Sequence, residues 1–519
     1  MMKYIRGVYL LLSLFCFAVA FFSAQWMLWI LVGLFPLFLL LAGPGSHAHT
    51  ITLENGSFSK KLCAILVAII TIVVCIAPMS QLPIWNGENP GHRNQYELIT
   101  EAFLDGRLDF AYGDEAALEV LENPYDPEQR KQANVPYHWD HAYYNGHYYM
   151  YFGVVPVFLA FMPYRLITGE ALTTFRATQL FVAVFIAGIF TLFYMLSRRF
   201  FKRLPFAGYL GLSVAFSVMS VWYSSAEPAL YCTAITAALA LEIWSLYFLI
   251  RAVWQEQQEN RQLLFAGIGA LLGALVFGCR PPIALANILV LPILAVFLKQ
   301  RRFTWRLLGK LALAALPYAV VAAGLMLYNN ARFDNPFEFG QTYQLTVADQ
   351  SNYRVNLDFP TLIRLANESI RNFFLFEGIN ANFPYFRTSS VFFNFPILLL
   401  SLALFRSDVC KKAKEHHLLP LLIGFPLTAL IITAVDILWS PYLLERYRMD
   451  VYFLLAIGCF IILGLWSEVN KETHRKGFQT VLLLGSALTV LSSFLLYVQT
   501  LGVYYPNQVT AIAKQFLIG

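Results

Sequence analysis

The sequence predicts an all-α, polytopic membrane protein, and three observations predict it. Mean hydropathy is +0.58 and 13% of the 519 residues are charged, whereas a soluble domain carries about 25%. The apolar residues come in blocks of about 20, the length that crosses a hydrocarbon core of about 30 Å. The basic residues fall in short clusters between those blocks. The net charge of +6 therefore sets orientation and does not mark a nucleic-acid surface. A soluble enzyme, a disordered chain and a fibrous repeat are all excluded.

About 13 spans follow from the blocks, near 4–22, 25–42, 62–80, 174–196, 207–223, 229–250, 263–278, 283–298, 309–328, 388–405, 418–436, 451–467 and 478–498. Every second connection is basic. Lys3 and Arg6 precede the first span, and Lys60 and Lys61 the third. Arg198, Arg199, Lys202 and Arg203 follow the fourth. Arg251 and Arg261, then Lys299, Arg301, Arg302 and Arg306, mark the next two, and the series ends with Lys411, Lys412 and Lys414, then Lys471, Arg475 and Lys476. Alternating spans put all of them on one side, which the positive-inside rule makes cytoplasmic. The first block has the basic start of a signal peptide and small residues at Ser23 and Ala24. Its short link to the second block predicts an uncleaved helical hairpin.

Two long connections, 81–150 and 329–387, then fall on the outer side, and loops of that length are usually functional. The short outer connections near Ser224–Pro228, Arg280–Pro282 and Asp436–Asp450 are also polar. Segment 151–168 is apolar but holds Pro156 and Pro163. As a full span it would invert every later loop, so it reads as an interfacial or re-entrant helix. The organisation expected is an N-terminal hairpin and cytoplasmic loop (1–61), a core with both outer loops (62–405) and C-terminal spans (406–519).

The first outer loop carries most of the candidate chemistry. Residues 96–104 have apolar spacing for an amphipathic helix that exits at Asp105. Asn123-Pro124-Tyr125-Asp126-Pro127 is turn chemistry. Asp140 stands among His138, Trp139 and His141, with Tyr143, Tyr144, Tyr148 and Tyr149 following. Two readings of this group compete. A carboxylate at a membrane-adjacent aromatic rim can act as general base, with partial desolvation raising its pKa. The same residues also describe a headgroup-level aromatic belt with one solvated acid.

Arg280, before Pro281 and Pro282, and Arg446 and Arg448, in LLERYRMD, sit at outer span ends. A guanidinium there either holds phosphate oxygens, or snorkels to the headgroups or pairs with Glu445 or Asp450. His92 and Arg93, with Tyr96 and Glu97, can line the same site. The spacing of His92, His138, His141 and His147 gives no metal motif, and the seven cysteines form neither a CxxC nor a disulfide pattern. No glycine-rich nucleotide loop occurs, and no cofactor is expected, a divalent metal held by histidines being the less favoured alternative.

The segments YELITEAFLDGRLDF, ENPYDPEQR, WDHAYYNGHYYMYFGVVPVFLAFMPYRLITG, GCRPPIALANILVLP, YNNARFDNPFEFGQTYQL and ERYRMDVYFLL together resemble the GT-C-type integral-membrane glycosyltransferases. That superfamily includes the protein mannosyltransferases and bacterial aminoarabinose transferases, and the likeness is strongest to its uncharacterised bacterial branch. The resemblance implies a polyprenyl-phosphate-linked sugar donor, an envelope glycan, lipid or protein acceptor, and inversion at the anomeric carbon. It places the site on the outer face of a bacterial inner membrane. It also implies an acidic residue of the first outer loop as base and basic residues on the lipid phosphate. By position these are Asp140, with Glu97, Asp105 or Asp109 as alternatives, and Arg280, Arg446 and Arg448. His92, Arg93, His138, Tyr143, Tyr148 and Tyr149 are expected to line the substrate. Relatives carry an acidic pair where this chain has His92-Arg93-Asn94-Gln95, which leaves the choice of base open.

Two other functions fit a polytopic chain. A transporter or flippase for a lipid-linked glycan requires charged residues at span centres, whereas those here cluster at span ends. A non-catalytic envelope-assembly protein can retain the fold without the base.

Overall fold

The structure, a computed structural model, describes residues 2–23, 25–43, 46, 48–54, 57–81, 94–228, 230–256, 258–299, 301–302, 304–380, 383–439 and 443–515. In hydrocarbon every backbone N–H and C=O must be satisfied within the chain, and a helix does this along its whole length. The chain opens with a hairpin of α1 (Met2–Phe22) and α2 (Trp26–Ala42), followed by α3 (Phe58–Ile76). The first large loop contains α4 (Gln95–Leu104), α5 (Pro127–Ala133), and strands β1 (His141–Tyr144) and β2 (His147–Met150). After α6 (Met162–Thr168) come the long helices α7 (Thr174–Phe200), α8 (Phe206–Ala226), α9 (Leu230–Ile250) and α10 (Glu259–Phe277). Next are α11 (Pro281–Ala284), α12 (Val290–Lys299) and α13 (Trp305–Phe333). The second large loop carries α14 (Phe359–Phe374) and leads to α15 (Val391–Asn394). The remainder is α16 (Ser407–Glu415), α17 (Leu419–Trp439), α18 (Met449–Val469), α19 (Arg475–Tyr504) and α20 (Pro506–Lys514).

Among the described residues, ten helices are long and apolar enough to cross a membrane: α3, α7 to α10, the run Pro281–Lys299, α13 and α17 to α19. The chain is a helical, multi-pass membrane protein. α9 and α18 are buried on nearly all sides, while α13 is peripheral. Phe193 of α7 stacks on Phe460 of α18 with centroids 3.7 Å apart.

The expected span at 388–405 is corrected. Pro396 lacks the N–H that would continue α15. The chain instead runs on as a ten-residue 3₁₀ helix, Pro396–Phe405. Segment 151–168 yields only the short apolar helix Val157–Thr168, with Leu166 and Ile167 exposed.

The basic connections gather at one end of the bundle. Arg199 Nε donates to Trp254 O (3.0 Å), and Trp254 Nε1 donates to His416 O (3.0 Å). Arg203 donates through N (2.6 Å) and Nη1 (3.0 Å) to Glu468. Charge is not confined to span ends, however. Glu242 lies at the centre of α9, 1% exposed, and its Oε2 has no hydrogen-bond partner among the described residues. It is an exception to the clustering of charged residues at span ends.

Candidate functional site

The two large loops meet through a hairpin whose turn is written in the sequence. Asn145-Gly146 adopts positive φ at both residues, 49° and 77°, the geometry of a two-residue turn that matches strand twist. It sets His141 opposite Met150 and Tyr143 opposite Tyr148. On its other edge β1 is joined by the second large loop: Tyr143 N donates to Tyr343 O (3.0 Å) and Leu345 N to His141 O (2.9 Å).

Asp140 stands just before β1 with φ of 56°, a left-handed conformation that Asp tolerates better than most residues. Its N–H donates to Leu345 O (2.9 Å) and its carbonyl accepts from Gln95 Nε2 (3.2 Å). The side chain is 4% exposed. Oδ1 accepts from Gln344 Nε2 (2.8 Å) and Oδ2 from the Tyr231 hydroxyl at the start of α9. The solvated-acid reading is thereby excluded.

Asp140 lines a cavity of about 280 Å³ that also receives Arg280, Arg332, Asp436 and Arg446. That volume is near the lower bound of small-molecule sites, about 300 Å³, and accommodates one sugar-sized group. The cavity collects the ends of α10, α13 and α17 and the starts of α9, α11 and the 3₁₀ turn Glu445–Arg448. These are the ends opposite the basic connections. Gly153 makes the floor possible. A Cβ there would lie 2.3 Å from Gly278 O and 2.6 Å from Cys279 O, and the crossing is closed by Val155 N donating to Gly278 O (2.9 Å).

The three guanidiniums differ. Arg280 is committed to Asp450, with Nε 2.9 and 2.7 Å from the two carboxylate oxygens and Nη2 2.6 Å from Oδ2. Arg332 donates to Met150 O (2.7 Å) and Asn329 Oδ1 (2.9 Å), and its buried Nε has no partner among the described residues. Arg446 is half-buried, 4.0 Å over the Tyr231 ring, and has no ion-pair partner among the described residues. Asp436 is 2% exposed with Oδ2 unpartnered among the described residues. Tyr151, whose phenol burial pushes above its ordinary value, donates to Gln341 (3.1 Å).

Several expected site residues are elsewhere. Arg448 turns away from the cavity, donating from Nε to Asn372 Oδ1 (2.9 Å) and from Nη1 to Ser389 O (2.5 Å). Glu97 caps α7, accepting from Thr174 N (2.5 Å) and Oγ1 (2.9 Å). Burial raises its carboxyl pKa against the lowering effect of those two bonds. Asp105 ends α4, largely exposed and 3.3 Å from Arg107. Asp109 holds His147 (3.0 Å).

His138 stacks on Tyr112 at 3.6 Å and bonds Asp114 (3.1 Å). Tyr143 and Tyr148 form the packed interior of the loop layer, and Tyr149 lies against Phe333. None of these lines the cavity. The headgroup-belt reading fails with them, because the rings pack on one another. His92 and Arg93 lie outside the described residues. The described His, Cys, Asp and Glu residues form no group of three arranged to hold a metal.

Tyr231, Gln344, Arg332, Asp436 and Tyr447 complete the wall and were not singled out from the sequence. Asp436 carried a signal as an acid at a span end, and Arg332, Gln344 and Tyr447 lie within segments quoted above for the resemblance. No family model, curated protein or solved structure matches the chain.

Proposed function

We propose that the chain is a membrane glycosyltransferase of the GT-C type, in a bacterial inner membrane with the cavity facing the periplasm. It moves a sugar from a polyprenyl-phosphate donor to an envelope glycan, lipid or protein acceptor. The observation that carries the reading is the meeting of the buried, hydrogen-bonded carboxylate of Asp140 with the guanidinium of Arg446, which makes no close ion pair among the described residues, in a single cavity at the span ends.

In this reading Asp140 takes the proton of the attacking acceptor hydroxyl as it adds to the anomeric carbon. Gln344 and the Tyr231 hydroxyl fix the carboxylate, and each oxygen keeps acceptor capacity for that proton. The bond from the anomeric carbon to the phosphate oxygen breaks, and the lipid phosphate leaves with the electron pair. Arg446 stabilises that developing charge. It makes no close ion pair among the described residues, Glu227 and Asp450 acting on it only at longer range, so its donors can turn to an anionic ligand. Arg280, already neutralised by Asp450, positions the wall. Trp139, Trp439 and Tyr447 line the same cavity and supply aromatic surface for a sugar.

The test is transfer from a radiolabelled polyprenyl-phosphate sugar in membranes, paired with binding of polyprenyl phosphate alone. Asp140→Asn is expected to lose transfer by about 10²–10⁴-fold and keep binding. Arg446→Gln is expected to weaken both. Wild-type transfer by Asp140→Asn removes Asp140 as base, and no transfer by the unaltered chain from any such donor rejects the reading.

A further inference from the structure

Most of the apolar stripe of α14 faces outward, whereas a helix on a soluble domain turns its stripe inward; Phe373 at the C-terminal end is the exception, buried against Phe392. Toward the protein α14 presents Arg364, which donates to Ile437 O (3.2 Å), and Asn372, which accepts from Arg448. Glu368 and Ser369 are half-buried on that side. The outward face carries Phe359, Leu362, Ile363, Ile370 and Phe374, each between 45% and 74% exposed. Their offsets of 0, 3, 4, 11 and 15 residues place all five in one stripe. The stripe runs on into Phe376 and Ile379, also exposed. Asp358 caps the helix through Thr361 N (2.9 Å), so it is a formed element and not a frayed loop.

A contiguous apolar surface of this length needs an occupant, and the anchorage of α14 identifies it. The helix is fastened to the last turn of α17, where the Tyr353 hydroxyl also donates to Leu438 O. α17 is long and apolar enough to cross a membrane, and its Ile423, Leu427 and Leu430 are exposed. The stripe thus lies level with the point at which a span leaves the hydrocarbon. It continues the lipid-facing belt of the bundle.

We propose that α14 lies in the plane of the membrane interface, with its apolar stripe in the acyl boundary of the leaflet on the cavity side. The partner is lipid. This seat bears on the site, because Arg448 bolts α14 and Ser389 to the same short turn that carries Arg446. The inference does not depend on which reaction the cavity performs.

The experiment uses the full chain in phosphatidylcholine–phosphatidylglycerol vesicles, with Cys63 and Cys410 replaced by Ser. Bimane is attached at Ile363→Cys, Ile370→Cys or, on the inward face, Glu368→Cys. Lipids carrying a doxyl group near the head of the acyl chain are expected to quench the first two at least about twofold more than the third. The first two should also resist a membrane-impermeant maleimide. Equal quenching at the three positions, or free reaction of Ile363→Cys and Ile370→Cys with the maleimide in vesicles, overturns the proposal. Shielding of these positions in native membranes but not in vesicles would assign the stripe to a protein partner and overturn it as well.

Discussion

Breaking the Arg280–Asp450 pair tests the electrostatics of the cavity wall. Three N–O contacts of 2.6–2.9 Å hold it, with the Asp450 side chain 0% and the Arg280 side chain 17% exposed. Removing one partner of a buried pair costs about 3–5 kcal/mol, because the other charge is left uncompensated. The two halves are not equivalent here. Asp450→Asn leaves the guanidinium beside Asp436, which lines the same cavity with Oδ2 unpartnered, so the loss should sit near the low end, about 3 kcal/mol. Arg280→Gln leaves two buried carboxylates without their close ion-pair partner, with Arg446 acting on Asp450 only at longer range, and should approach about 5 kcal/mol. Combining the two changes faces one amide with another, and the double variant should lose at least about 3 kcal/mol less than the sum of the singles. Asp436→Asn added to Asp450→Asn should make that variant as unstable as Arg280→Gln. The assay is equilibrium unfolding of the purified protein in mixed micelles titrated with sodium dodecyl sulfate. Equal losses for the two singles, or an additive double variant, would refute the reasoning.

Three further outcomes follow from particular contacts. Glu97→Ala removes the cap of α7 and should cost about 1 kcal/mol, whereas Glu97→Gln keeps the acceptor. The folded-state pKa of Glu97 is raised, so its contribution is present below the unfolded value and is lost as pH rises through the folded one. The unfolding free energy of the Gln variant should therefore fall less between acid and neutral pH than that of the native chain, and an unchanged slope would contradict the assignment. Gly153→Ala drives a Cβ to 2.3 Å from a backbone carbonyl. A loss of at least about 2 kcal/mol is expected in thermal unfolding, with weaker ligand binding, and a neutral result would show that the floor is pliable. Glu242→Gln should leave stability within about 1 kcal/mol of native or raise it, since the acid has no ion-pair partner among the described residues; a loss above about 2 kcal/mol in the same assay would reveal one.

Asp140, Arg280 and Arg446 were legible because they stand where the polar connections meet the apolar blocks, and their type already states their chemistry. Their partners were not legible. Gln344 reaches Asp140 across 204 residues, and Asp450 reaches Arg280 across 170. No local pattern encodes contacts that only the packed bundle creates. Arg446 and Arg448 show the limit most sharply. Two positions apart in a tight 3₁₀ turn, they point to different neighbours, one into the cavity and one to α14. Tyr143 and Tyr148 were misassigned for a recoverable reason. Asn145-Gly146 between short aromatic runs signals a hairpin, and strand pairing packs the two rings against each other. The inversion of α14 is a similar case: its stripe can be found in the sequence, but which way it faces depends on α17.

The depth of the cavity weighs transfer against translocation. Glu242 is the kind of mid-span acid that a transport path requires, so span composition alone no longer separates the two readings. Position does. Ala234 lines the cavity, and Glu242 is eight residues further along α9, about 12 Å deeper at 1.5 Å per residue. Between them Ile235, Ala238 and Leu239 are fully packed or nearly so, and the Thr236 hydroxyl is spent on Cys232 O (2.6 Å) of its own helix. Around Glu242 the polar groups are also turned inward: Asn287 donates to Gly273 O (3.0 Å) and the Ser245 hydroxyl to Gly269 O (2.8 Å). Along α9, among the described residues, no polar step joins the acid to the cavity. Along α9, then, Glu242 is not part of the cavity, and the acid gives no support to a transport path that starts from Asp140 and Arg446 along this helix.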